Sequence, residues 1–138
     1  MMRLARTGLL AAAAAAAATG LGAGLAGVAG IHLDVEGGRI PASGIAFVTA
    51  VLSLVGVALA AALLRWTAHP APLFVRIAGG LTAISLVPPL TWAEDAAAMI
   101  TLIVLHLLAA AVMIPALARA LRAGDLTTAD RPVSVRLG

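Results

Sequence analysis

His106 is the ionisable side chain that lies deepest within an apolar stretch of this sequence. A titratable group in hydrocarbon is costly and is therefore the first place to look for chemistry. We expect the imidazole to be neutral, because burial disfavours its charged form. Hydroxyl groups on other apolar stretches recur at helical spacing and could meet the imidazole. Together with His106 they form our candidate polar pocket: Thr49, Ser53, Thr82 and Ser85.

Two interpretations of this pocket stay open. In the first, His106 makes an interhelical hydrogen bond that holds helices together, which contributes about 1 kcal/mol or less in a membrane. In the second, the same groups bind a small molecule or lipid, or carry a proton. Small residues beside the histidine, such as Ala109 and Ala110, favour a face turned toward other helices in both cases.

The sequence lacks the residues that haem binding, zinc binding and thiol chemistry require. A bis-histidine haem needs two facing imidazoles at one depth, whereas His32 and His69 fall near the ends of apolar stretches. A zinc site needs three or four converging ligands, and the absence of cysteine removes thiolate redox chemistry and disulfides. We therefore predict no cofactor, no metal, no catalytic residue and no enzymatic activity.

The composition is that of a membrane protein. Hydrophobic residues make up 62% and charged residues 11% of 138 residues, whereas soluble domains have about 45–50% and about 25%. Four apolar stretches, each long enough to cross a bilayer as a helix, occupy a predicted transmembrane domain at residues 1–120. These predicted spans are residues 9–33, 45–64, 73–90 and 96–118. Residues 121–138 are polar, and we predict a disordered cytoplasmic tail.

The arginines predict the topology. Eight of the nine flank or enter the spans on one side, and only Arg39 falls between the first and second spans. Because basic segments remain in the cytoplasm, we predict cytoplasmic N- and C-termini and a multi-pass protein of the bacterial plasma membrane. The net charge of +3 favours contact with anionic lipid. No nucleic-acid partner is predicted, because the arginines form no basic face.

The first stretch permits a second interpretation. Eight consecutive alanines are followed by glycines at close spacing, which lets another helix approach closely. Arg3, Arg6 and the small residues around Ala29 also resemble a secretory signal peptide. The apolar run is much longer than the roughly 7–15 residues of a signal core. We therefore expect the first span to be retained, with cleavage as the alternative.

The connections between spans are short. Gly37-Gly38 separates two short alternating runs and predicts a small hairpin in the outer loop. His69-Pro70-Ala71-Pro72 predicts a stiff inner turn, and Pro88-Pro89 is expected to end the third helix. The predicted fold is accordingly an all-α, four-helix transmembrane bundle with a short outer loop.

Three segments carry a resemblance to a known family. They are Ser85-Leu86-Val87-Pro88-Pro89-Leu90-Thr91, Leu105-His106-Leu107 and Met113-Ile114-Pro115-Ala116-Leu117. The chain resembles a family of small four-helix actinobacterial membrane proteins of unknown function, in which the last helix carries a His shortly before an Ile-Pro. Leu105 departs from the methionine that usually precedes that histidine. The resemblance implies a topology and a membrane location but no activity. The many alanines, glycines and arginines, with no lysine, asparagine or tyrosine, are also typical of a GC-rich bacterial genome.

The leading hypothesis is a structural or accessory membrane component that packs against a membrane-protein partner or forms a homo-oligomer. The alternative is a bundle that binds or conducts a small molecule or lipid through the pocket around His106. The sequence specifies no ligand, partner or oligomeric state.

Overall fold

The computed structural model describes residues 2–35, 38–93 and 95–129, with side chains as far as Gly124. Within this part of the chain, four helical stretches are long and apolar enough to cross a membrane: Met2–Val28, Ala42–Trp66, Pro70–Trp92 and Ala96–Gly124. The predicted all-α, four-helix fold is confirmed. The helices extend beyond several of the predicted spans, so the apolar stretches mark only the central part of each helix.

The chain folds into five helices and one hairpin within the described residues. The helices are α1 (Met2–Val28), α2 (Ala42–Trp66), α3 (Pro70–Ser85), α4 (Val87–Trp92) and α5 (Ala96–Ala129), and the strands are β1 (Asp34–Val35) and β2 (Gly38–Arg39). Helix α1 packs mainly against α2 and α5, and α3 packs against α5 and α2. We call the end of the bundle with β1 and β2 the hairpin end and the opposite end the arginine end.

Helix α1 ends earlier than predicted, because Gly30 turns the chain. Gly30 has φ +81°, a left-handed conformation that glycine adopts at little cost. The Ile31 amide donates to the Ala26 carbonyl at 2.9 Å, and the Gly30 amide donates to the Gly27 carbonyl at 3.1 Å. This pair of bonds is the Schellman motif, which satisfies free carbonyls at a helix end. The span predicted to reach Leu33 therefore stops as a helix at Val28.

The expectation that Pro88-Pro89 ends the third helix is wrong. Helix α3 ends at Ser85, and both prolines lie in the first turn of α4. Proline is tolerated there, because the first amides of a helix have no intrahelical partner to lose. The third crossing therefore consists of two helices joined at Leu86 rather than one helix that the prolines terminate.

The predicted disordered tail needs a similar correction. Helix α5 continues to Ala129, so residues 121–129 are helical, while residues 130–138 lie outside the described residues. The apolar face continues past the predicted end of the span, and Leu121 is completely buried. At the other end of α5, an Asp95 carboxylate oxygen accepts the Ala98 amide at 2.7 Å. This bond caps the helix and satisfies one of its free amides.

The hairpin predicted for the loop is confirmed. Strands β1 and β2 pair antiparallel, with Asp34 opposite Arg39 and Val35 opposite Gly38. Val35 also forms a bridge with Ala93, so the hairpin is connected to the turn between α4 and α5. Leu33, just before β1, is buried and belongs to the apolar core at this end. The hairpin is thus fastened to the bundle at two places.

Two apolar clusters form the interior. The larger cluster lies in the half of the bundle toward the arginine end and includes Leu4, Leu63, Phe74, Leu117 and Leu121. The smaller cluster lies at the hairpin end. It consists of Ala23, Leu33, Ala98 and Leu105, with further apolar residues packed around them. The hydroxyl-bearing residues of the predicted pocket belong to neither cluster.

Candidate intramembrane polar site

His106 lies on the face of α5 that is buried further along the helix. Met113 and Leu117 follow it by seven and eleven residues, which is close to two and three turns of 3.6 residues each. Both are buried, whereas His106 itself is only partly buried. Among the described residues, its imidazole makes no hydrogen bond. The imidazole therefore lacks the hydroxyl partner that the sequence led us to expect.

The two hydroxyls of α3 bond within their own helix. Thr82 Oγ1 donates to the Ala78 carbonyl at 2.8 Å, and Ser85 Oγ donates to the Thr82 carbonyl at 2.8 Å. Such bonds to the preceding turn are the usual arrangement when threonine and serine occur inside a helix. The protons of both hydroxyls are thereby used, although each oxygen keeps a free lone pair that can accept a bond.

Thr49 pairs with a residue outside the predicted set. Its hydroxyl oxygen is 3.0 Å from Thr19 Oγ1, which also donates to the Ala15 carbonyl at 2.9 Å. Because a hydroxyl has one proton and two lone pairs, Thr19 can donate to the carbonyl and accept from Thr49. Thr19 is 1% exposed. This bond between α1 and α2 is an interhelical contact in the bundle interior. Ser53, one turn after Thr49, is buried as well.

The threonine pair and His106 lie at similar depths in the bundle. Leu105, next to His106, packs over Gly22, and Ala46, three residues before Thr49, packs over Gly20. Residues at these levels are separated along the bundle axis by no more than about one to two turns of about 5.4 Å each. The polar groups therefore form a layer between the two apolar clusters, with the threonine pair bonded and the imidazole unbonded within the described residues.

Thr19 is the polar residue that the sequence-based set missed. Thr19 lies in a run of alanines and glycines, a pattern that we interpreted as a surface for close helix packing. A comparison of all hydroxyls by depth would have found it, because it is the only hydroxyl in α1 far from both ends of the helix. The same run accounts for the contact: the small neighbours let α2 come within hydrogen-bonding distance.

The threonine pair should show a small and specific coupling. We expect Thr19→Val and Thr49→Val to lower the free energy of unfolding, with a double-mutant coupling of about 0.6 kcal/mol, the average for hydrogen bonds between membrane helices. The measurement is reversible unfolding in mixed micelles. Thr91→Val is the matched control, because this exposed hydroxyl bonds only within α4. Additive effects of the two variants would contradict the interhelical bond.

Within the part of the chain that the structure describes, no three His, Asp or Glu side chains come close enough to hold a metal ion. Whether the polar layer binds an organic ligand stays a prediction.

Comparison with known proteins gives a family but no function. No curated protein and no solved structure shows a significant match to the chain. One family model matches residues 1–123, which cover the four candidate spans except for Gly124 and include the polar layer. The protein therefore belongs to the family of unknown function DUF6069.

Proposed function

We propose that the protein is a structural or accessory component of the bacterial plasma membrane that packs against a membrane partner or a second copy of itself and catalyses no reaction. The composition and the family resemblance support an actinobacterial source. Four helices of membrane-spanning length support a lipid bilayer as the environment.

The observation that carries the proposal is the set of hydrogen bonds that the intramembrane hydroxyls make. Thr19 and Thr49 bond to each other across two helices, and Thr82 and Ser85 bond to carbonyls of their own helix. The bond between Thr19 and Thr49 stabilises the packing of α1 against α2, and the bonds within α3 use the hydroxyl protons that a ligand would need. A ligand at the same position would compete with these bonds, so the arrangement favours a structural role over the binding alternative.

Helix α3 is the surface on which we place the partner. It belongs to the least buried of the four spans, Pro70–Trp92, and Gly79, Gly80 and Ala83 are exposed on it. An added Cβ at either glycine would meet nothing within 4 Å. Because lipid supplies no hydrophobic drive for association, membrane helices approach one another where small side chains permit close packing. This surface offers such a position.

Cysteine cross-linking in native membranes tests the proposal. The chain has no cysteine, so Gly80→Cys introduces its only thiol. We expect an oxidative or bifunctional cross-link to a second copy or to one defined membrane protein. Val48→Cys on α2 is the control, because Val48 is also exposed to lipid but lies outside the proposed contact. Equal cross-linking from both positions, or none from Gly80→Cys, would contradict the proposal.

The same preparation tests the binding alternative. After mild extraction, mass spectrometry of proteins and lipids would identify bound molecules. A small molecule or lipid that leaves on His106→Leu substitution, without loss of the folded bundle, would favour a ligand site at the polar layer. Retention of the same protein partner and the same lipids by wild type and His106→Leu is the result expected for a structural component.

The proposed topology places the hairpin end outside the cell. Arg3, Arg6, Arg65, Arg119 and Arg122 gather at the other end, and basic residues accumulate on the cytoplasmic side. Single cysteines replacing the exposed residues His32 and Ala123 report the two ends. We expect a membrane-impermeant thiol reagent to label His32→Cys in intact cells and Ala123→Cys only after lysis. The reverse pattern would invert the topology.

A further inference from the structure

Helices α2, α3 and α5 pack tightly at the arginine end and separate toward the hairpin end. On α3, Phe74 is 2% exposed, whereas Leu81, two turns later on the same face, is 54% exposed. On α2, Leu63 is 9% exposed, whereas Leu52, three turns nearer the hairpin end on the same face, is 53% exposed. An open crevice therefore lies between α2 and α3 on the hairpin side of the larger apolar cluster.

The crevice reaches His106 on α5. Leu117, three turns after His106 on the same face, is completely buried, whereas His106 is only partly buried. Among the described residues, the apolar cluster at the hairpin end includes residues of α1, α2 and α5 but none of α3 or α4. The loss of burial along three facing helices has one explanation, which is that the middle of the third span stands away from the bundle. His106 lies where that span would otherwise cover it.

The third span is held to the bundle near both of its ends. Phe74 packs in the larger apolar cluster toward the arginine end. Toward the hairpin end, Pro89 is buried and Ala93 forms the bridge with Val35. Between these attachments, Leu86 joins α3 to α4 with φ −80° and ψ −14°, which are close to helical angles. The middle of the span can therefore move toward α5 while both attachments are kept.

This part of the span carries a backbone carbonyl that its own helix cannot satisfy. In a continuous helix the Ser85 carbonyl would accept the amide of the fourth residue along, but that residue is Pro89, which has no N–H. Pro88 has none either, and the Leu86 amide donates to carbonyls earlier in α3. No other described residue donates to the Ser85 carbonyl. Within a membrane, side chains of neighbouring helices commonly satisfy the carbonyls that proline frees.

His106 can supply the missing donor. At about 1.5 Å per residue, Ser85 lies about 12 Å below Ala93, and His106 lies about 15 Å below Ala96 on the antiparallel α5. Side chains on a helix tilt toward its N-terminus, which for α5 is the hairpin end, so the imidazole reaches toward the depth of Ser85. An imidazole carries at least one N–H, and that of His106 makes no hydrogen bond among the described residues.

We propose that the third span closes onto α5 in the bilayer, with a ring N–H of His106 donating to the Ser85 carbonyl, and that the structure is the open state of this movement. Closure pairs a free donor with a free acceptor and covers the crevice at the same depth. It uses the face of α3 that carries Phe74 and Ser85, whereas Gly80 and Ala83, on which we placed the partner, lie on the other side of α3. Either proposal can therefore fail while the other stands.

Solid-state nuclear magnetic resonance of the full-length protein in phospholipid bilayers tests the contact directly. His32→Gln and His69→Gln leave His106 as the only histidine, so labelled ring nitrogens report one imidazole and labelled serine carbonyl carbons report its neighbours. We expect a dipolar coupling for a nitrogen-to-carbon separation of about 4 Å, as in a hydrogen bond with an N···O distance of about 2.9 Å. Ser85→Ala keeps the carbonyl but removes its label, so the coupling should vanish. No coupling at all, or a coupling that survives Ser85→Ala, would overturn the proposal.

Two proline variants separate closure from simple proximity. Pro89→Ala restores the amide that the Ser85 carbonyl lacks, so we expect the coupled fraction to fall about threefold, which corresponds to one interhelical hydrogen bond of about 0.6 kcal/mol. Pro88→Ala is the matched control, because the amide that it restores reaches Ile84 instead, and the coupling should be unchanged.

Because Pro89 is buried, a second variant at this residue separates the effect of the amide from a loss of packing. Pro89→Val restores the same amide and keeps more side-chain volume, and it should lower the coupled fraction as Pro89→Ala does. Helical circular dichroism establishes that each variant is folded. Undiminished coupling in both variants of residue 89, or an equal loss in Pro88→Ala, would show that the Ser85 carbonyl is not the acceptor and would overturn the proposal.

Discussion

Phe74→Ala is expected to destabilise the bundle by about 2–4 kcal/mol, at or slightly below the range of about 3–5 kcal/mol known for buried aromatic residues in soluble proteins. Phe74 is 2% exposed and belongs to the larger apolar cluster with Leu117 and Leu121. It is the largest of the fully or nearly fully buried side chains. It anchors α3, which belongs to the least buried span, Pro70–Trp92. Its removal leaves a cavity and loses dispersion contacts with two other helices.

The reduction relative to a soluble protein has a physical reason. In a bilayer, a phenyl ring released from the bundle enters lipid rather than water, so the transfer free energy that burial gains in water is largely absent. Packing and cavity terms remain. The measurement is the free energy of unfolding in mixed micelles, followed by circular dichroism.

The chain supplies its own control for this experiment. Phe47, the other phenylalanine, is 70% exposed on α2. Phe47→Ala removes the same atoms from a lipid-facing position and should change the free energy of unfolding by no more than about 0.5 kcal/mol. Similar losses for both variants would mean that Phe74 does not hold α3 to the bundle, and the packing of the larger cluster would have to be reconsidered.

Gly8→Leu is expected to separate α1 from its neighbours. A Cβ at this position would lie 2.7 Å from Val57 Cγ2, 3.0 Å from Val57 Cγ1 and 3.3 Å from Leu117 Cδ2. Valine cannot move aside easily, because its branched side chain has one strongly preferred rotamer in a helix. The helices must therefore move apart. Overpacking of this kind costs about 1–3 kcal/mol, and a leucine between three helices should reach the upper end.

A control variant separates the effect of the substituted position from the effect of the added side-chain volume. Ala13→Leu enlarges an exposed residue of the same helix and should leave the free energy of unfolding nearly unchanged. The smaller variant Gly8→Ala should be rescued in part by Val57→Ala, with a positive coupling in a double-mutant cycle. Equal stability of Gly8→Leu and Ala13→Leu would show that α1 does not approach α2 and α5 at this residue.

The local features of the fold were predictable because they depend on neighbouring residues. Gly37-Gly38 between alternating runs predicted the hairpin, and strands Asp34–Val35 and Gly38–Arg39 confirm it. The errors arose where a residue has two structural uses. Proline can end a helix or begin one, and at Pro88-Pro89 it lies in the first turn of α4. Leu33 is apolar enough to extend a span, but it packs into the core after the turn at Gly30.

The polar layer was predictable only in part. The depth of His106 and the presence of hydroxyls at helical spacing follow from the sequence. Their partners do not: Thr49 bonds to Thr19, while Thr82 and Ser85 bond within α3. Each choice depends on the rotation of one helix against another. The free-energy differences that select a rotation are about the size of one interhelical hydrogen bond, about 0.6 kcal/mol, and no single-helix pattern resolves them.

The sequence by itself determined the membrane class, the number of spans and the hairpin, because span length and hydrophobicity are properties of each segment alone. The tertiary structure decided which helices touch. It brought Thr19 to Thr49 and placed Phe74 in one apolar cluster with Leu117 and Leu121. Helices in lipid have no hydrophobic force to fix their mutual orientation, so close packing of specific side chains determines it.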